Sequence, residues 1–403
     1  MIYTCTYDDA NPGAEAGPRL NSIRGNQLPL SLHEEAADPH EQRETLMALS
    51  KVKGLGEASL KALLRAYPRL NEVWDASPKT LESLLQKASL KNPASVVGLI
   101  GPRRSELVAA AKRELESLSR QNVQFITPLD PAFPKQLRDI KDTPQWLFVQ
   151  GDIGALSMSN LVAVVGTRKA SSDGIWQAGL LTHWLVEQGF GIVSGLAEGI
   201  DQAAHQVALD HGIPTIGVLG TGIARYFPAG TVGLRQQMIT EGGAIVTEYF
   251  PNDPYSKTHF IRRNRIQAGL SYATVPVEAR ASSGTAHTYR YARDFGRFTF
   301  GVTHSSHPSV TEIHELLQAD GRPIFDLDSP ESMEKLRMEL QPALEGAIYR
   351  KPQKLLFRSL LREFDRVNNS YPLSAEDLED LKTELTERWQ SHQHDSQGGS
   401  PRS

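Results

Sequence analysis

The chain has 403 residues, enough for two or three domains, and 39% of them are hydrophobic, so it can bury a sizeable core. Its formal net charge of −4 excludes a surface covered with nucleic-acid-binding charge, so any such binding has to be local. A single cysteine, Cys5, excludes an intrachain disulfide framework and a cysteine-based zinc site, and no apolar run reaches the length of a membrane span. We therefore expect a cytoplasmic protein.

The first 120 residues divide into two predicted parts. Residues 1–42 are rich in Pro, Gly, Asn, Asp and Glu without periodicity, which predicts a mobile arm. Helical periodicity over 43–120 predicts a helical domain. Within it, "VKGLGEASLKALL" at residues 52–64 resembles a SAM-type or helix-hairpin-helix module, whose glycine-rich turn can present N–H groups to DNA phosphates. An ordinary turn in a helical bundle explains the same residues equally well.

Residues 121–325 predict an α/β domain. Two short apolar runs, at 125–126 and 146–149, lie among proline-marked turns. Strands and helices then alternate, with predicted strands in "LVAVVGTR", "GIVSGLAEGID", "PTIGVLGTG", "GAIVTEYF", "ATVPVEAR" and "RFTFGVT". Such alternation indicates a parallel sheet covered on both faces, with ligands beyond the carboxyl ends of its strands.

The C-terminal residues predict helix and then disorder. Residues 326–392 form a predicted helical segment, in which a basic block, "RKPQKLLFRSLLREFDRV", precedes an acidic one, "AEDLEDLKTELTERW". Because opposite charges can pair within or between subunits, we expect this segment to mediate protein contact. Residues 393–403 are expected to be a disordered tail.

A cluster of arginines is the strongest local signal in the sequence. "FIRRNRIQAGLS", residues 260–271, places Arg262, Arg263, Asn264 and Arg265 at the start of a segment that then becomes apolar. A guanidinium is always charged and its planar fork suits phosphate oxygens. The apolar continuation would anchor the cluster on a packed helix. A solvated helix face or internal ion pairs would also explain it.

Further anion-binding candidates follow the predicted strands. They are Gly166, Thr167, Arg168 and Lys169; Ser194 and Gly195; Ser283 and Gly284; and Lys257, which adds positive charge just before the arginine cluster. Glycine lets a ligand approach the backbone, and N–H groups at a helix start can hold an anion. Turns and helix caps without a ligand are the alternative. Asp201 and His205 are expected to be a helix cap and a packed histidine, since no Ser or Cys nucleophile is placed to use them.

These motifs, in this order and spacing, resemble the DNA-processing protein A family (DprA, also called Smf) over residues 123 to about 300. The resemblance implies an extended Rossmann-like domain that binds single-stranded DNA through its backbone, a homodimer formed through that domain, and loading of a RecA-type recombinase in DNA processing, recombination and natural transformation. Carried over by position, the residues at the phosphate-facing edge are Gly166, Arg168, Ser194, Gly195, Arg262, Asn264, Arg265, Ser283 and Gly284.

The sequence also departs from the family pattern. Ala224 stands where the family usually has Asp, the usual Pro-Gly after the last core strand is missing, and no C-terminal winged helix is evident. A divergent member, for example in a defence system, fits these differences.

We therefore expect a non-catalytic protein that binds single-stranded DNA without cofactor, metal or membrane. The same phosphate pocket would also suit a sensor of nucleotides or nucleotide-derived signals. A third hypothesis is a nucleotide phosphoribohydrolase, which resembles this edge but needs a catalytic Glu at the position that Thr288 occupies.

Overall fold

The structure is a computed structural model that describes residues 38–309 and 311–345. The predictions for residues 1–37, for most of the C-terminal helical segment and for the tail fall outside this part of the chain. Within it, no helix is both long and apolar enough to cross a membrane.

Five α-helices lie within residues 39–120. They are α1 (Pro39–Ser50), α2 (Glu57–Ala66), α3 (Pro78–Lys87), α4 (Pro93–Ile100) and α5 (Arg104–Arg120). The starts of α1 and α3 show why the chain turns helical there, because each has Pro at its first position and a side-chain cap, from Asp38 and Ser77 respectively. The glycine-rich hairpin joins α1 to α2, with Gly54 at a φ of 93°. Its role in binding DNA stays a prediction.

An eight-stranded sheet follows these helices. Its strands are β1 (Val123–Ile126), β2 (Leu147–Gly151), β3 (Leu161–Val165), β4 (Gly191–Ser194), β5 (Thr215–Val218), β6 (Ala244–Thr247), β7 (Ala273–Pro276) and β8 (Phe298–Thr299). The strand order is β1-β2-β6-β5-β4-β3-β7-β8. Every neighbouring pair from β6 to β8 is parallel, which confirms the predicted α/β class, while β1 and β2 extend the sheet antiparallel.

One predicted strand was wrong in its extent. "RFTFGVT" divides at Phe300 into β8, in the large sheet, and β9 (Gly301–Thr303), which pairs with β10 (Ile324–Asp326) in a separate two-stranded parallel sheet. The division follows from competition for hydrogen bonds, because the N–H of Gly301 donates to Pro323 O at 2.9 Å rather than to β7.

Helices cover both faces of the large sheet. The remaining helices are α6 (Lys135–Arg138), α7 (Ser172–Glu187), α8 (Ile200–Asp210), α9 (Val232–Thr240), α10 (Lys257–Leu270), α11 (Gly284–Asp294), α12 (Glu312–Ala319) and α13 (Pro330–Glu345). Strand β3 shows the two faces, because Val162 and Val164 pack in one hydrophobic cluster with α7 and α8, whereas Leu161, Ala163 and Val165 pack in another with α10. The carboxyl ends of the parallel strands therefore meet at one edge, between these two layers.

Candidate functional site

A cleft of about 300 Å³ lies at that edge. The loop after β3, the start of α8, one side of α10 and the loop leading into α11 form its walls. The predicted site residues that line it are Gly166, Thr167, Arg168, Lys257, Arg263, Asn264, Ser283 and Gly284. The fold thus brings together residues from sequence motifs that are far apart, as the parallel topology requires.

Two cations of the cleft carry unneutralised charge. The side chains of Arg168 and Lys257 are exposed, and neither has an ion pair or a hydrogen bond to another described residue. Lys257 is the first residue of α10, whose first turn holds no acidic residue. A cation at a helix N-terminus is unfavourable beside the positive end of the helix dipole. An anionic ligand would relieve this repulsion and neutralise both charges.

Three helices also direct their N-termini at the cleft: Asp201 lies in the first turn of α8, Lys257 begins α10 and Gly284 begins α11. At α11 the N-cap is Ser283, whose hydroxyl accepts from the N–H of Ala286. Free N–H groups and dipoles at such ends attract anions. The helix N-termini therefore add to the positive electrostatic potential that Arg168 and Lys257 create in the cleft.

Asp201 is not the helix cap that its position predicts. Helix α8 is capped by Gly199, at a φ of 85°, where a Cβ would come within 2.5 Å of Thr167 O. The Asp201 carboxylate instead accepts from the N–H groups of Gly195, at 3.0 Å, and Gly166, at 3.4 Å. It ties two strand-end turns together. Burial raises the pKa of Asp201, and the charge of Arg263 and these N–H donors oppose that rise.

His205 is a packed histidine, as expected. It is fully buried one turn further along α8, and its Nδ1 lies 2.7 Å from Thr215 Oγ1. Burial lowers the pKa of His205 to about 3, with the charge of Arg263 acting in the same direction. The imidazole is therefore neutral at physiological pH and takes no part in the positive charge of the cleft.

Arg263 provides positive charge beneath the cleft. Its guanidinium donates to Val218 O, at the carboxyl end of β5, and packs directly against Gly195, where any Cβ would collide with it. The residue is 5% exposed, and burial lowers its pKa to about 10, so it stays protonated at neutral pH. The close packing of the guanidinium therefore favours glycine at this position, and a role of Gly195 in binding phosphate stays a prediction.

The other two arginines of the cluster face away from the cleft. Arg265 is buried and bonds Glu248 at 2.6 Å and Asp142 at 2.9 Å. Arg262 pairs with Glu57 of α2 at 2.9 Å. Both arginines thus form internal ion pairs, which was the alternative explanation of the arginine cluster.

The remaining predicted residues have separate surroundings. Asn264 donates to Gly284 O at 2.8 Å and so joins α10 to the start of α11. The buried hydroxyl of Ser194 donates to Val164 O at 2.6 Å. Lys169 is exposed next to Arg168 but does not line the cleft. Five of the predicted site residues are therefore not among those that line the cleft: Lys169, Ser194, Gly195, Arg262 and Arg265.

Sequence reasoning missed several wall residues. They include Tyr255, Phe260, Ile261, Gln267, Thr285 and His287. A signal was available on α10, because Lys257, Phe260, Ile261, Asn264 and Gln267 recur three or four residues apart and so share one helix face. No comparable pattern marks Tyr255, which precedes the helix.

Comparison with known proteins finds relatives of the α/β domain. The family model described as DNA recombination-mediator protein A matches residues 124–329. Protein Smf of Synechocystis sp. is 35% identical over 274 residues, covering 67% of this chain and 66% of that protein. DNA processing protein DprA of Streptococcus pneumoniae is 38% identical over 191 residues, covering 47% of this chain and 67% of that protein. The chain thus spans about two thirds of the length of either relative.

A solved structure supports the same relationship. The X-ray structure of DNA processing protein A from Streptococcus pneumoniae superposes with a TM-score of 0.55 at 26% identity, over 73% of this chain and 97% of that one. The family match includes the parallel sheet and all the walls of the cleft. The chain belongs to the DNA recombination-mediator protein A family, whose members are called DprA or Smf.

Proposed function

We propose that the protein binds single-stranded DNA by holding backbone phosphates in the cleft. The observation that carries this proposal is the pair of exposed cations, Arg168 and Lys257, which have no acidic partner among the described residues and share a cleft with three helix N-termini. The names of the relatives, as DNA processing proteins, support DNA as the source of the phosphate. Because phosphates are common to all sequences, binding has little sequence preference.

The dimensions of the cleft favour one strand over a duplex. About 300 Å³ is at the lower end of the range for small-ligand pockets. That space suits the sugar and phosphate of about one nucleotide, whereas a duplex would have to lie across the rim. Arg168 and Lys257 line the cleft from two different elements, the β3–α7 loop and α10, so a phosphate bound there would meet a cation from each.

We propose that the cleft holds its ligand without catalysis. Thr288 lines it at the position where a phosphoribohydrolase would need a glutamate. The carboxylate of Asp201 is already occupied by the N–H groups of Gly166 and Gly195. A catalytic role would be established by turnover of a nucleoside monophosphate that is lost in Asp201→Asn.

The test is affinity for labelled, mixed-sequence single-stranded oligonucleotides across a salt series. Each neutralised phosphate contributes about −0.7 to the slope of log affinity against log salt, so two contacts predict a slope of about −1.4. Arg168→Ala should bring the slope to about −0.7 and weaken binding to all sequences alike. Arg120→Ala is the matched control, because Arg120 is also an exposed arginine but lies at the end of α5, outside the cleft.

Two outcomes would contradict the proposal. Unchanged affinity and slope in Arg168→Ala would remove the cleft as the DNA site. Mononucleotides that bind as tightly as oligonucleotides, with no gain from chain length, would instead support the sensor of nucleotides.

We further propose that the protein is a homodimer through the Rossmann-like domain and hands DNA to a RecA-type recombinase. The family description as a recombination mediator supports this proposal. Light scattering of the full chain measures whether it is a dimer, and capture of a purified recombinase by the full chain measures whether the two proteins bind. A chain ending near residue 345 that keeps the same number of subunits and the same recombinase capture would exclude the C-terminal segment from both contacts.

A further inference from the structure

A group of exposed aromatic rings borders the cleft. Phe227 and Tyr255, here called the aromatic platform, are 40% and 49% exposed, and Tyr226, which precedes Phe227 in the chain, is 58% exposed. The rings of Phe227 and Tyr255 lie 5.1 Å apart between centroids, and Phe260, in the cleft wall, lies 5.0 Å from Tyr255. Neighbouring aromatic rings that face water are a mark of an interaction site.

The platform is held in a fixed position by two connected loops. Tyr226 and Phe227 lie in the loop after β5 and Tyr255 in the loop after β6. Backbone hydrogen bonds join the loops, from the N–H of Gly222 to Asp253 O at 3.0 Å and from the N–H of Ala224 to Pro251 O at 2.9 Å. These hydrogen bonds therefore fix the positions of the two loops that carry the rings.

A buried arginine braces the same loop from beneath. Arg235 is 3% exposed and donates to Ile223 O at 2.6 Å and to Arg225 O at 3.0 Å. Its guanidinium lies 4.6 Å from the ring centroid of Tyr226, within the range of a cation–π contact. One face of that ring is thus supported by the protein, while the side chain remains mostly exposed.

We propose that the aromatic platform stacks the bases of a single strand whose phosphates occupy the cleft, an inference that rests on the proposed function. Lys257 and Tyr255 both line the cleft, so a phosphate-binding cation and a stacking ring belong to the same site. Proteins that hold single strands combine these two elements, a positive groove along the backbone and rings for successive bases. Because every base has a flat π-face, such stacking adds affinity without sequence preference.

The experiment compares two oligonucleotides of equal length and charge, one of thymidines and one of abasic sugar-phosphates. Wild type should bind the thymidine strand more tightly. The double variant Phe227→Ala/Tyr255→Ala should lose about 5- to 100-fold in affinity for the thymidine strand and keep its affinity for the abasic one. Trp176→Ala is the matched control, because Trp176 is also 40% exposed but packs against His304 and His307, outside the cleft walls.

A second variant covers failure of the double variant to fold. Fluorescence of 2-aminopurine in the bound strand should be quenched by stacking in wild type and in Trp176→Ala, and should recover in Tyr255→Ala. Equal losses on both oligonucleotides, or no loss on either, would overturn the platform and leave phosphate binding intact. Failure of wild type to bind either strand would overturn the proposed function and the platform with it.

Discussion

Replacing Arg265 should destabilise the fold instead of removing a DNA contact. Arg265 is fully buried, and its guanidinium lies 2.6 Å from the carboxylate of Glu248, which is itself 2% exposed. Lys61 of α2 reaches the same carboxylate at 2.8 Å. In Arg265→Ala the buried Glu248 would keep Lys61 as its cationic partner and would face the space that the guanidinium leaves.

The magnitude follows from this arrangement. Breaking a buried ion pair from one side costs about 3–5 kcal/mol, since the remaining charge stays out of water. Lys61 offsets part of this cost, so we expect a loss near the lower limit, about 3 kcal/mol. That is a large share of the roughly 5–15 kcal/mol by which folded proteins are stable.

Urea unfolding of the purified variants measures this loss. With a denaturant slope of about 3 kcal/mol per molar, the midpoint should fall by about 1 M. Arg168→Ala is the companion variant, because that side chain is exposed and unpaired, so it should lose DNA affinity at an unchanged midpoint. A wild-type midpoint for Arg265→Ala, together with weakened DNA binding, would refute the buried ion pair and return Arg265 to the phosphate site.

Three further predictions concern the cleft and its support. Gly195→Ala should weaken DNA binding and lower stability, because the new Cβ would displace the guanidinium of Arg263; titration and thermal melting measure both, and unchanged values would contradict the close packing. Lys257→Ala should bring the slope of log affinity against log salt from about −1.4 to about −0.7. It should leave the melting temperature unchanged or slightly higher, since the substitution removes a cation from a helix N-terminus. Burial, aided by the charge of Arg263, holds the pKa of His205 near 3, well below its usual 6.5. Between pH 6.5 and about 3 the folded state therefore binds fewer protons at His205 than the unfolded chain does, and stability should fall by about 1.4 kcal/mol for each pH unit over that window. A pH series of urea unfolding should show this dependence reduced in His205→Gln, and equal pH dependence in the two proteins would refute it.

The sequence predicted the parallel sheet and the gathering of its strand-end residues at one edge. Both follow from chain order and apolar patterning, because the carboxyl ends of parallel strands must share an edge. Gly166, Arg168 and Gly284 therefore meet in the structure although they lie far apart in the chain.

The directions of the clustered arginines could not be predicted in the same way. Successive residues on a helix point about 100° apart, so adjacent arginines reach different surroundings. Arg263 turns to the carboxyl end of β5, whereas Arg262 and Arg265 find Glu57 and Glu248. Those acidic partners lie 205 and 17 residues away in the chain, and only the packing of α2 and β6 against α10 brings them close.

The aromatic platform shows a similar limit. Its two loops have no apolar periodicity, and their pairing depends on backbone hydrogen bonds, such as that from Gly222 to Asp253, which side-chain patterns do not encode. The division of the last predicted strand at Phe300 has the same cause, because the choice between two hydrogen-bonding neighbours is settled by tertiary structure.

The helices of residues 39–120 and the sheet share one hydrophobic cluster. Leu46 and Leu60 of the helices belong to the same buried group as Phe148 and Ile245 of the sheet. A fragment cut to the limits of the family match would present that side of β2 and β6 to water and would tend to aggregate. A fragment for recombinant work therefore has to keep the helices of residues 39–120 together with the sheet, and protease cleavage that removes these helices should also unfold the sheet.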